Sequence, residues 1–570
     1  MVNSCGNAVG GGTGRDCGEE RRADAARGLA FEPVGDDDAV HHVVDDFREA
    51  ASVQRDRHHR AAREPTDRTR GSGATRRCAK RGNCETGRAS GRAEPPRHGG
   101  ETNGRSAFHG PIQHHGCDRY RRYRWRVRRP VLLRRHPDDR EIWRLAVPAF
   151  GALVAEPVYV LADTAIIGRL GTRPLAGLAI AGTVLTAAFG VFNFLAFATT
   201  AAVARRIGAR DERAAAEHGV AGLWLAVGLG LALTIVGLLL APFIVDLMGA
   251  SPRVRPYALT YLRIGLLGAP AMLLALAGTG YLRGLQDTRT PLAIAVAANV
   301  VNLALDIVLV YGLDLGLAGS AWGTVIAQVG AAVAYLVVVG RNVRRVHASA
   351  RPNPAYMRAA AVVGGQLTVR TASLLAVFLT TTAIASRIGD TEVAAHQIAW
   401  QLWYFLALAL DAVAIAAQAI VGRNLGAADP EATRRTSRRM IEWGVVTGCV
   451  AAIAVLLLQP ALAAVFTDDQ LVRDALLGVL WSVALMQPLA AIVFVLDGIL
   501  IGAGESRYLA IAMACASAAF FPVALLVLVT DAGLVALWGA LWVFMVGRLI
   551  GMGSRYRSDS WLVTGAVRTG

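Results

Sequence analysis

Twelve apolar stretches, each about 20 residues or longer, follow one another from Glu141 toward the C-terminus. A helix needs about 20 apolar residues to cross the roughly 30 Å hydrocarbon layer of a bilayer. Within that layer only helices and closed barrels satisfy every backbone polar group. We therefore predict an all-α integral membrane protein with twelve transmembrane helices. The predicted spans are residues 142–167, 175–204, 219–241, 258–282, 290–312, 316–340, 359–386, 393–421, 440–459, 472–500, 508–530 and 533–552.

The leader, residues 1–135, has a different composition from the rest of the chain. It carries 28 Lys and Arg residues against 18 Asp and Glu, and thus a net charge of +10 out of +16 for all 570 residues. It contains no apolar stretch long enough for the core of a signal peptide. Arg, Gly, Asp and His dominate it, so it can bury too little apolar surface to offset the entropy of ordering. We predict that the leader is disordered or that translation begins downstream of it.

Two functional interpretations of the leader remain open beside this one. Tyrosine and tryptophan among the clustered arginines of residues 119–135 resemble a surface for nucleic acid or anionic lipid. Cysteines and histidines are also present, but Cys78 and Cys84 and the histidine pairs at 58–59 and 114–115 lack the spacing of metal ligands. We rank both interpretations lower, and expect neither a nucleic-acid partner nor a bound metal.

The arginines of alternate loops predict the orientation in the membrane. One set of loops and the C-terminal tail carry 21 arginines, and the opposite set carries six. Since cytoplasmic loops are enriched in positive charge, both termini are predicted to lie in the cytoplasm, with the protein in the inner (plasma) membrane. The richer set comprises residues 205–218, 283–289, 341–358, 422–439, 501–507 and the tail from Arg548. The six arginines of the poorer set are Arg169, Arg173, Arg253, Arg255, Arg387 and Arg473.

The two halves of the membrane region repeat each other at one constant offset, without gaps. Residues 163–211 and 381–429 are identical at 16 of 49 positions, including Arg205 with Arg423. Each repeat has six spans, an even number, so both enter the membrane in the same direction and are related by an axis along the membrane normal. We predict two six-helix lobes with a cavity between them. Their predicted bounds are residues 140–341 and 359–553, with a linker at 342–358 and a tail at 554–570.

Asp163 and Asp306 each lie inside a predicted span. A charged side chain near the bilayer centre costs about 2.5 to 3.5 kcal/mol on insertion scales, so it usually serves an ion, a cavity or a partner. The repeat aligns them with Thr381 and Ala524, neither of which is acidic. Cation chemistry is therefore predicted for the first lobe only.

Asn302 and Thr324 extend this candidate site. Asn302 and Asp306 are four residues apart and share a helix face, while Thr324 lies at a comparable depth in the next span. Together with Asp163 they offer oxygen ligands and titratable carboxyl groups for H⁺ or Na⁺. The alternative is that these side chains only join helices by hydrogen bonds.

Further charged residues lie within predicted spans. Glu156, seven residues before Asp163, shares its helix face and is a candidate for the ion pathway or the mouth of the cavity. Asp411 either lines the cavity or pairs with Arg370 inside the second lobe. The first span also contains Pro148 and Pro157, each of which removes a backbone donor.

Enzyme function is not expected from the membrane region. It contains neither a His-Glu-x-x-His nor a Gly-x-Ser-x-Gly pattern, and its Cys449 and Cys515 lie singly in apolar spans. A Gly-x-x-x-x-Gly-Lys nucleotide loop is also missing. No cofactor is predicted, and an ion gradient is the expected energy source.

Five motifs resemble the multidrug and toxic compound extrusion (MATE) family, in its DinF-like branch. The resemblance covers about residues 140–553, and the motifs fall in the family's order. The motifs are Glu156-Pro-Val-Tyr-Val-Leu-Ala-Asp-Thr-Ala-Ile-Ile-Gly-Arg-Leu-Gly171, Arg283-Gly-Leu-Gln-Asp-Thr-Arg289, Asn302-Leu-Ala-Leu-Asp306, Ala394-Ala-His-Gln-Ile398 and Asp411-Ala-Val-Ala-Ile-Ala-Ala-Gln418.

The resemblance implies a two-lobed antiporter that exports small organic, cationic or amphipathic compounds in exchange for H⁺ or Na⁺. It also implies a bend at Pro148 and a cation site in the first lobe, and we expect a monomer. A flippase for lipid-linked precursors of the same superfamily is the alternative. For that function we expect a more cationic cavity than Arg263 and Arg370 provide. The implied cation-site residues are Asp163, Asn302, Asp306 and Thr324.

Overall fold

Helices form all the regular secondary structure of residues 136 to 566, the part of the chain that the structure, a computed structural model, describes. The predictions for the leader lie outside the described residues. The α-helices are α1 (Asp139–Gly168), α2 (Thr172–Val191), α3 (Phe194–Gly208), α4 (Glu212–Leu247), α5 (Arg255–Leu267), α6 (Ala269–Gly284), α7 (Arg289–Asp306), α8 (Gly316–Arg345), α9 (Pro354–Ile388), α10 (Asp390–Gly426), α11 (Pro430–Phe466), α12 (Gln470–Gly502), α13 (Ser506–Val529) and α14 (Gly533–Arg557). A π-helix, Ile307–Gly312, follows α7.

The helices account for the predicted spans. Within the described range, eleven helices are long and apolar enough to cross a membrane, or twelve when the bent pair α5 and α6 counts as one span. That pair bends by 49° at Gly268, where Pro270 in the next turn lacks a backbone N–H. Helices α2 and α3 form one span, Thr172–Gly208, with a break at Phe192 and Asn193. The all-α membrane fold is confirmed, and interrupted spans are a feature that hydropathy did not predict.

The internal repeat is visible in the helix boundaries. Span Thr172–Gly208 begins and ends at residues that the repeat aligns with the first and last residues of helix α10. Prolines follow the same alignment, with Pro242 in α4 matching Pro460 in α11 and Pro270 matching Pro488. We call α1 to α8 the N lobe and α9 to α14 the C lobe. The breaks at Gly268 and at Phe192 fall in the N lobe, whereas the matching helices α10 and α12 of the C lobe are continuous.

Equivalent glycines bring helices into backbone contact in both lobes. A Cβ atom on Gly280 of α6 would overlap the carbonyl oxygen of Ala196 in α3, and one on Gly498 of α12 would overlap that of Ala414 in α10. Small residues allow such close approach in membranes, where lipid gives helices little hydrophobic reason to associate. The repeat thus preserves helix packing as well as helix length.

The lobes meet where α3 and α10 run against each other. A Cβ on Gly208 would overlap the carbonyl oxygen of Arg423, and one on Gly426 would overlap that of Arg205. Because each contact is the other's repeat partner, the axis that relates the lobes passes between these two helix ends. The first half of α1 also packs on the C lobe, since Ile142 belongs to its apolar core.

We predict that Gly280→Ala and Gly498→Ala each destabilise the protein by a similar amount. Overpacking of a close contact costs about 1 to 3 kcal/mol, and here the added methyl group meets backbone that cannot rotate away. The measurement is the apparent melting temperature in detergent, which we expect to fall by several degrees for both variants. Gly228→Ala in α4 is the control, because its Cβ would meet no atom within 4 Å. Equal melting of all three variants would contradict the proposed contacts.

Candidate functional site

The N lobe brings together the polar residues that the sequence singled out. Asp163 of α1 and Asn302 and Asp306 of α7 are 4%, 3% and 0% exposed. Thr324 of α8 is half-buried beside them. Helix α7 places Asn302 and Asp306 on one face because they are four residues apart. The predicted grouping of Asn302, Asp306 and Thr324 is therefore present in the structure.

A hydrogen-bond chain links three of these residues. With the Asn302 amide turned so that its nitrogen faces Asp306, that nitrogen lies 2.7 Å from Asp306 Oδ2. The amide oxygen then accepts from the backbone N–H of Thr324 at 3.0 Å and from its hydroxyl at 3.2 Å. This orientation satisfies both ends of the amide, which is how such groups are assigned. Asn302 thus links α7 to α8 through hydrogen bonds to Thr324.

Sequence reasoning missed two members of the cluster. Ser320 Oγ donates to Asp163 Oδ1 at 2.7 Å, and the hydroxyl of Tyr159 lies 2.9 Å from Thr324 Oγ1. Each was detectable by helical spacing, since Ser320 precedes Thr324 by four residues and Tyr159 precedes Asp163 by four. Both hydroxyl groups place neutral oxygen atoms in the cluster, beside the carboxyl groups of Asp163 and Asp306.

One carboxyl oxygen of Asp306 has no hydrogen-bond partner within residues 136–566. Its Oδ1 is fully buried and accepts no hydrogen bond from a described residue. A Cβ on Gly323 would lie 2.5 Å from this atom, so the glycine leaves just enough room for the carboxyl group. Leaving a buried acceptor unpaired is costly. A proton or a small hard cation at this oxygen would remove that cost, and oxygen ligands of this kind suit Na⁺ as well as H⁺.

Backbone irregularity surrounds the same cluster. The π-helix Ile307–Gly312 begins directly after Asp306, and such segments often occur at functional sites. Helix α1 runs without interruption through Pro148 and Pro157, which keeps the role of Pro148 as a bend a prediction. Asn299 of α7 donates its Nδ2 to the carbonyl oxygen of Ala155 at 2.9 Å, joining α7 to this part of α1.

The equivalent place in the C lobe has different chemistry. Phe520 and Ala524, which align with Asn302 and Asp306, are 0% exposed and belong to the apolar core. Trp542, the partner of Thr324, donates its indole N–H to Ser482 at 2.8 Å. The repeat thus preserves the helices and replaces the polar cluster by packed aromatic and aliphatic groups.

Buried charges in the C lobe differ from the sequence-based expectation. Arg370 forms its ion pair with Asp497, not with Asp411, and its Nε donates to Asp497 Oδ1 at 3.0 Å. Arg548 approaches the same carboxylate at 3.7 Å and is 2% exposed. Of the two alternatives for Asp411, a direct ion pair with Arg370 is therefore not formed among the described residues, although the two groups still interact electrostatically. Sequence separation does not show which helices adjoin.

Buried arginine is also more abundant than predicted. Arg283 at the end of α6 is 9% exposed, and Arg548 is buried as well. Sequence reasoning counted Arg283 as a loop residue and Arg548 as part of the tail, because apolar stretches give imprecise helix ends. Arg263 of α5, by contrast, is exposed.

Glu156 and Asp411 lie on opposite lobes but near a common aromatic ring. Glu156 is exposed on α1, and Asp411 is half-buried on α10. Tyr404 of α10 interacts electrostatically with both carboxylates. Asp411 also interacts with Arg283 of the N lobe and Arg370 of the C lobe. Charged groups of both lobes therefore converge on one region.

We predict that Gly323→Ala destabilises the N lobe although alanine ordinarily favours a helix over glycine. The new methyl group would press on Asp306 Oδ1 and should cost about 1 to 3 kcal/mol. Gly330→Ala on the same helix is the matched control, because its Cβ would meet no atom within 4 Å. Thermal unfolding in detergent should give a lower melting temperature for Gly323→Ala than for Gly330→Ala. A lower melting temperature for Gly330→Ala than for Gly323→Ala would show that Asp306 Oδ1 does not lie against Gly323.

Known proteins of one family match both lobes of this chain. The MatE family model matches residues 148–308 and 367–526, one segment in each lobe. Protein DETOXIFICATION 44, chloroplastic, of Arabidopsis thaliana is 33% identical over 72% of this chain and 80% of its own length. DNA damage-inducible protein F of Escherichia coli (strain K12) is 30% identical over 74% of this chain and 94% of its own length.

Solved structures show the same fold. A MATE transporter crystallised in the straight conformation matches with a TM-score of 0.68 and 24% identity, over 75% of this chain and 98% of that one. A transporter of the MOP superfamily from Pyrococcus furiosus gives the same values. The resemblance found in the sequence motifs and the two-lobed architecture are thus confirmed. The chain belongs to the MATE family of multidrug and toxic compound efflux transporters, which are multi-pass membrane proteins and not enzymes.

Proposed function

We propose that the protein exports small organic compounds in exchange for H⁺ or Na⁺, by alternating access of a cavity between its lobes. The observation that carries this proposal is the buried carboxyl group of Asp306, one of whose oxygens has no partner among the described residues. An antiporter needs a group whose occupancy by the driving ion changes during the cycle. Asp306 and Asp163 are such groups, with Asn302 and Thr324 as the neutral members of the set.

The asymmetry of the lobes supports an N-lobe coupling site. A cation can shift the equilibrium between two conformations only by its differential affinity for them. The N lobe has interrupted helices, and its π-helix directly follows Asp306 of the polar cluster, so a change of ligation there can alter helix geometry. The aligned C-lobe site is apolar and would respond to neither ion.

Glu156 and Asp411 support an organic cation or an amphipathic compound as substrate. Their carboxylates, one from each lobe, both interact electrostatically with the phenol group of Tyr404, and a tyrosine ring can also bind a cation through its face. Among relatives, a probable multidrug resistance protein NorM of Bradyrhizobium diazoefficiens is 29% identical over 56% of this chain. A site that recognises a substrate by one positive charge and by apolar contacts would accept many compounds.

We place both termini in the cytoplasm and the protein, as a monomer, in the plasma membrane. The excess of arginine in one set of loops supports the orientation. Residues from the two ends of the described chain support a shared side, since Gly565 bonds to Leu425 and Glu141 pairs with the adjacent Arg423.

We predict that Asp306→Asn loses at least about tenfold of gradient-driven efflux, since about 1.4 kcal/mol of coupling corresponds to a tenfold change. The amide keeps the shape of the side chain but cannot exchange a proton. Efflux of a fluorescent organic cation from reconstituted vesicles is measured under an imposed pH gradient and then under a Na⁺ gradient. The gradient that drives efflux, of pH or of Na⁺, identifies the coupling ion.

Asp314→Asn is the matched control, because it makes the same chemical change in an exposed turn eight residues away. It should leave efflux unchanged. Equal efflux by the wild type and by Asp306→Asn would reduce Asp306 to a structural role.

We further predict that Glu156→Gln and Asp411→Asn weaken recognition of cations. Each variant should raise KM about fivefold for a cationic compound, because the attraction between two unit charges about 4 Å apart in water is about 1 kcal/mol. KM for a neutral amphipathic compound should change little. Glu431→Gln, an exposed carboxylate at the start of α11, is the control. The same increase of KM for both compounds would show that charge does not select the substrate.

A further inference from the structure

Two equivalent arginines lie where the lobes meet. Arg205 lies in the last turn of α3 and Arg423 in the last turn of α10, at positions that the repeat aligns, and the backbone carbonyl of each lies against a glycine of the other lobe. Despite this symmetry, the two side chains bind different groups. Each reaches across to the opposite half of the chain.

Arg205 binds backbone carbonyl groups of the C lobe and of the segment that follows it. Its Nη2 donates to Ala503 O at 2.9 Å and to Val563 O at 3.0 Å, and its Nη1 donates to Gly565 O at 3.1 Å. The side chain is buried, at 5% exposed. A guanidinium has enough donors in one plane to hold several acceptors at once. A single N-lobe side chain is thereby fastened to three C-lobe or tail carbonyls.

The tail that Arg205 binds is itself packed against the C lobe. Trp561 is 1% exposed, stacks on Tyr556 at a centroid distance of 5.4 Å, and donates its indole N–H to the carbonyl of Tyr556 at 2.9 Å. Farther along, the backbone N–H of Gly565 donates to Leu425 O at 2.9 Å. The tail carbonyls are therefore presented by an anchored segment.

Arg423 completes the contact from the other lobe with carboxylates at the start of α1. It forms an ion pair with Glu141. Nearby, Arg439 of α11 binds Asp139 in a bidentate manner, with Nε to Oδ1 at 2.6 Å and Nη2 to Oδ2 at 2.9 Å. The indole N–H of Trp443 donates to the same Asp139 at 2.8 Å. Carboxylates near a helix N-terminus are also favoured by the helix dipole.

We propose that Arg205 and Arg423 are the closing residues of a gate on the side of the chain termini. This inference rests on the alternating access proposed above. The gate joins the lobes through hydrogen bonds and an ion pair, beside the apolar contact that Ile142 of α1 makes with the C-lobe core. Because water replaces such partners at small net cost when a contact opens at an aqueous surface, the gate can part and close reversibly. Arg205 binds backbone carbonyl groups and acts through the position of the lobes, so it is a positioning residue.

Spin labels on equivalent exposed residues can measure the gate directly. Arg213→Cys at the start of α4 and Glu431→Cys at the start of α11 place one label on each lobe, in full-length protein whose seven native cysteines are replaced. Pulsed electron spin resonance gives the distribution of distances between the labels. The comparison is between this background, Arg205→Ala and Arg205→Lys. Arg206→Ala is the control, because the partner of Arg206 among the described residues is Asp211 of its own lobe, at 4.0 Å.

We expect Arg205→Ala to increase the population with a longer label separation at least threefold. Arg206→Ala should leave the distribution unchanged, and Arg205→Lys should restore part of the short distance, since an ammonium group still has three donors. An unchanged distribution in Arg205→Ala, or the same change in Arg206→Ala, overturns the proposal. If Arg205→Ala fails to fold, Glu141→Gln tests the gate through Arg423, and it must lengthen the separation in the same direction.

The distance measurement requires neither substrate nor ion gradient. A lengthened separation without gradient-driven efflux in the parent protein would support the gate and count against antiport. Gradient-driven efflux with no change of distance in the gate variants would count against the gate alone.

Discussion

Close approach of helix backbones at glycine is the contact on which the rest of this structure depends. In a bilayer, helices gain little by leaving lipid, so association relies on packing and polar contacts. Gly280 and Gly498 allow this within the lobes, and Gly208 and Gly426 allow it between them. These contacts recur at positions that the internal repeat aligns, and they set which helices of the two lobes lie against each other.

On this symmetric frame the chemistry is asymmetric. Asp306 and Asn302 occupy places that Ala524 and Phe520 fill in the C lobe. The C lobe instead buries Arg370 and Arg548 around Asp497, an ion-pair group that links three helices. A duplicated bundle thus holds a buried polar cluster in one lobe and packed apolar groups at the aligned place in the other. In our proposal the first binds the driving ion, and the second supplies a rigid partner against which it moves.

The polar groups are also divided by their relation to water. The cluster around Asp306 is removed from water, so binding or loss of a cation there has a large electrostatic effect. Arg205 is as buried as Asp163 while the lobes are in contact, but the contacts of Arg205 and Arg423 lie at helix ends, so separation of the lobes would admit water to them. The same kinds of side chain therefore suit coupling in one place and reversible closure in the other.

The sequence by itself determined the helices, the repeat and the polar face of α7. Hydrophobic length fixes the spans because lipid cannot satisfy a bare backbone, and the spacing of Asn302, Asp306 and Thr324 follows from helix geometry. Only the tertiary structure decided that Arg370 joins Asp497, that Ser320 binds Asp163, and that Arg205 holds the tail. These partners lie 127, 157 and 358 residues apart. Such pairings depend on which helix faces adjoin after packing, and the periodicity of a single helix carries no information about its neighbours.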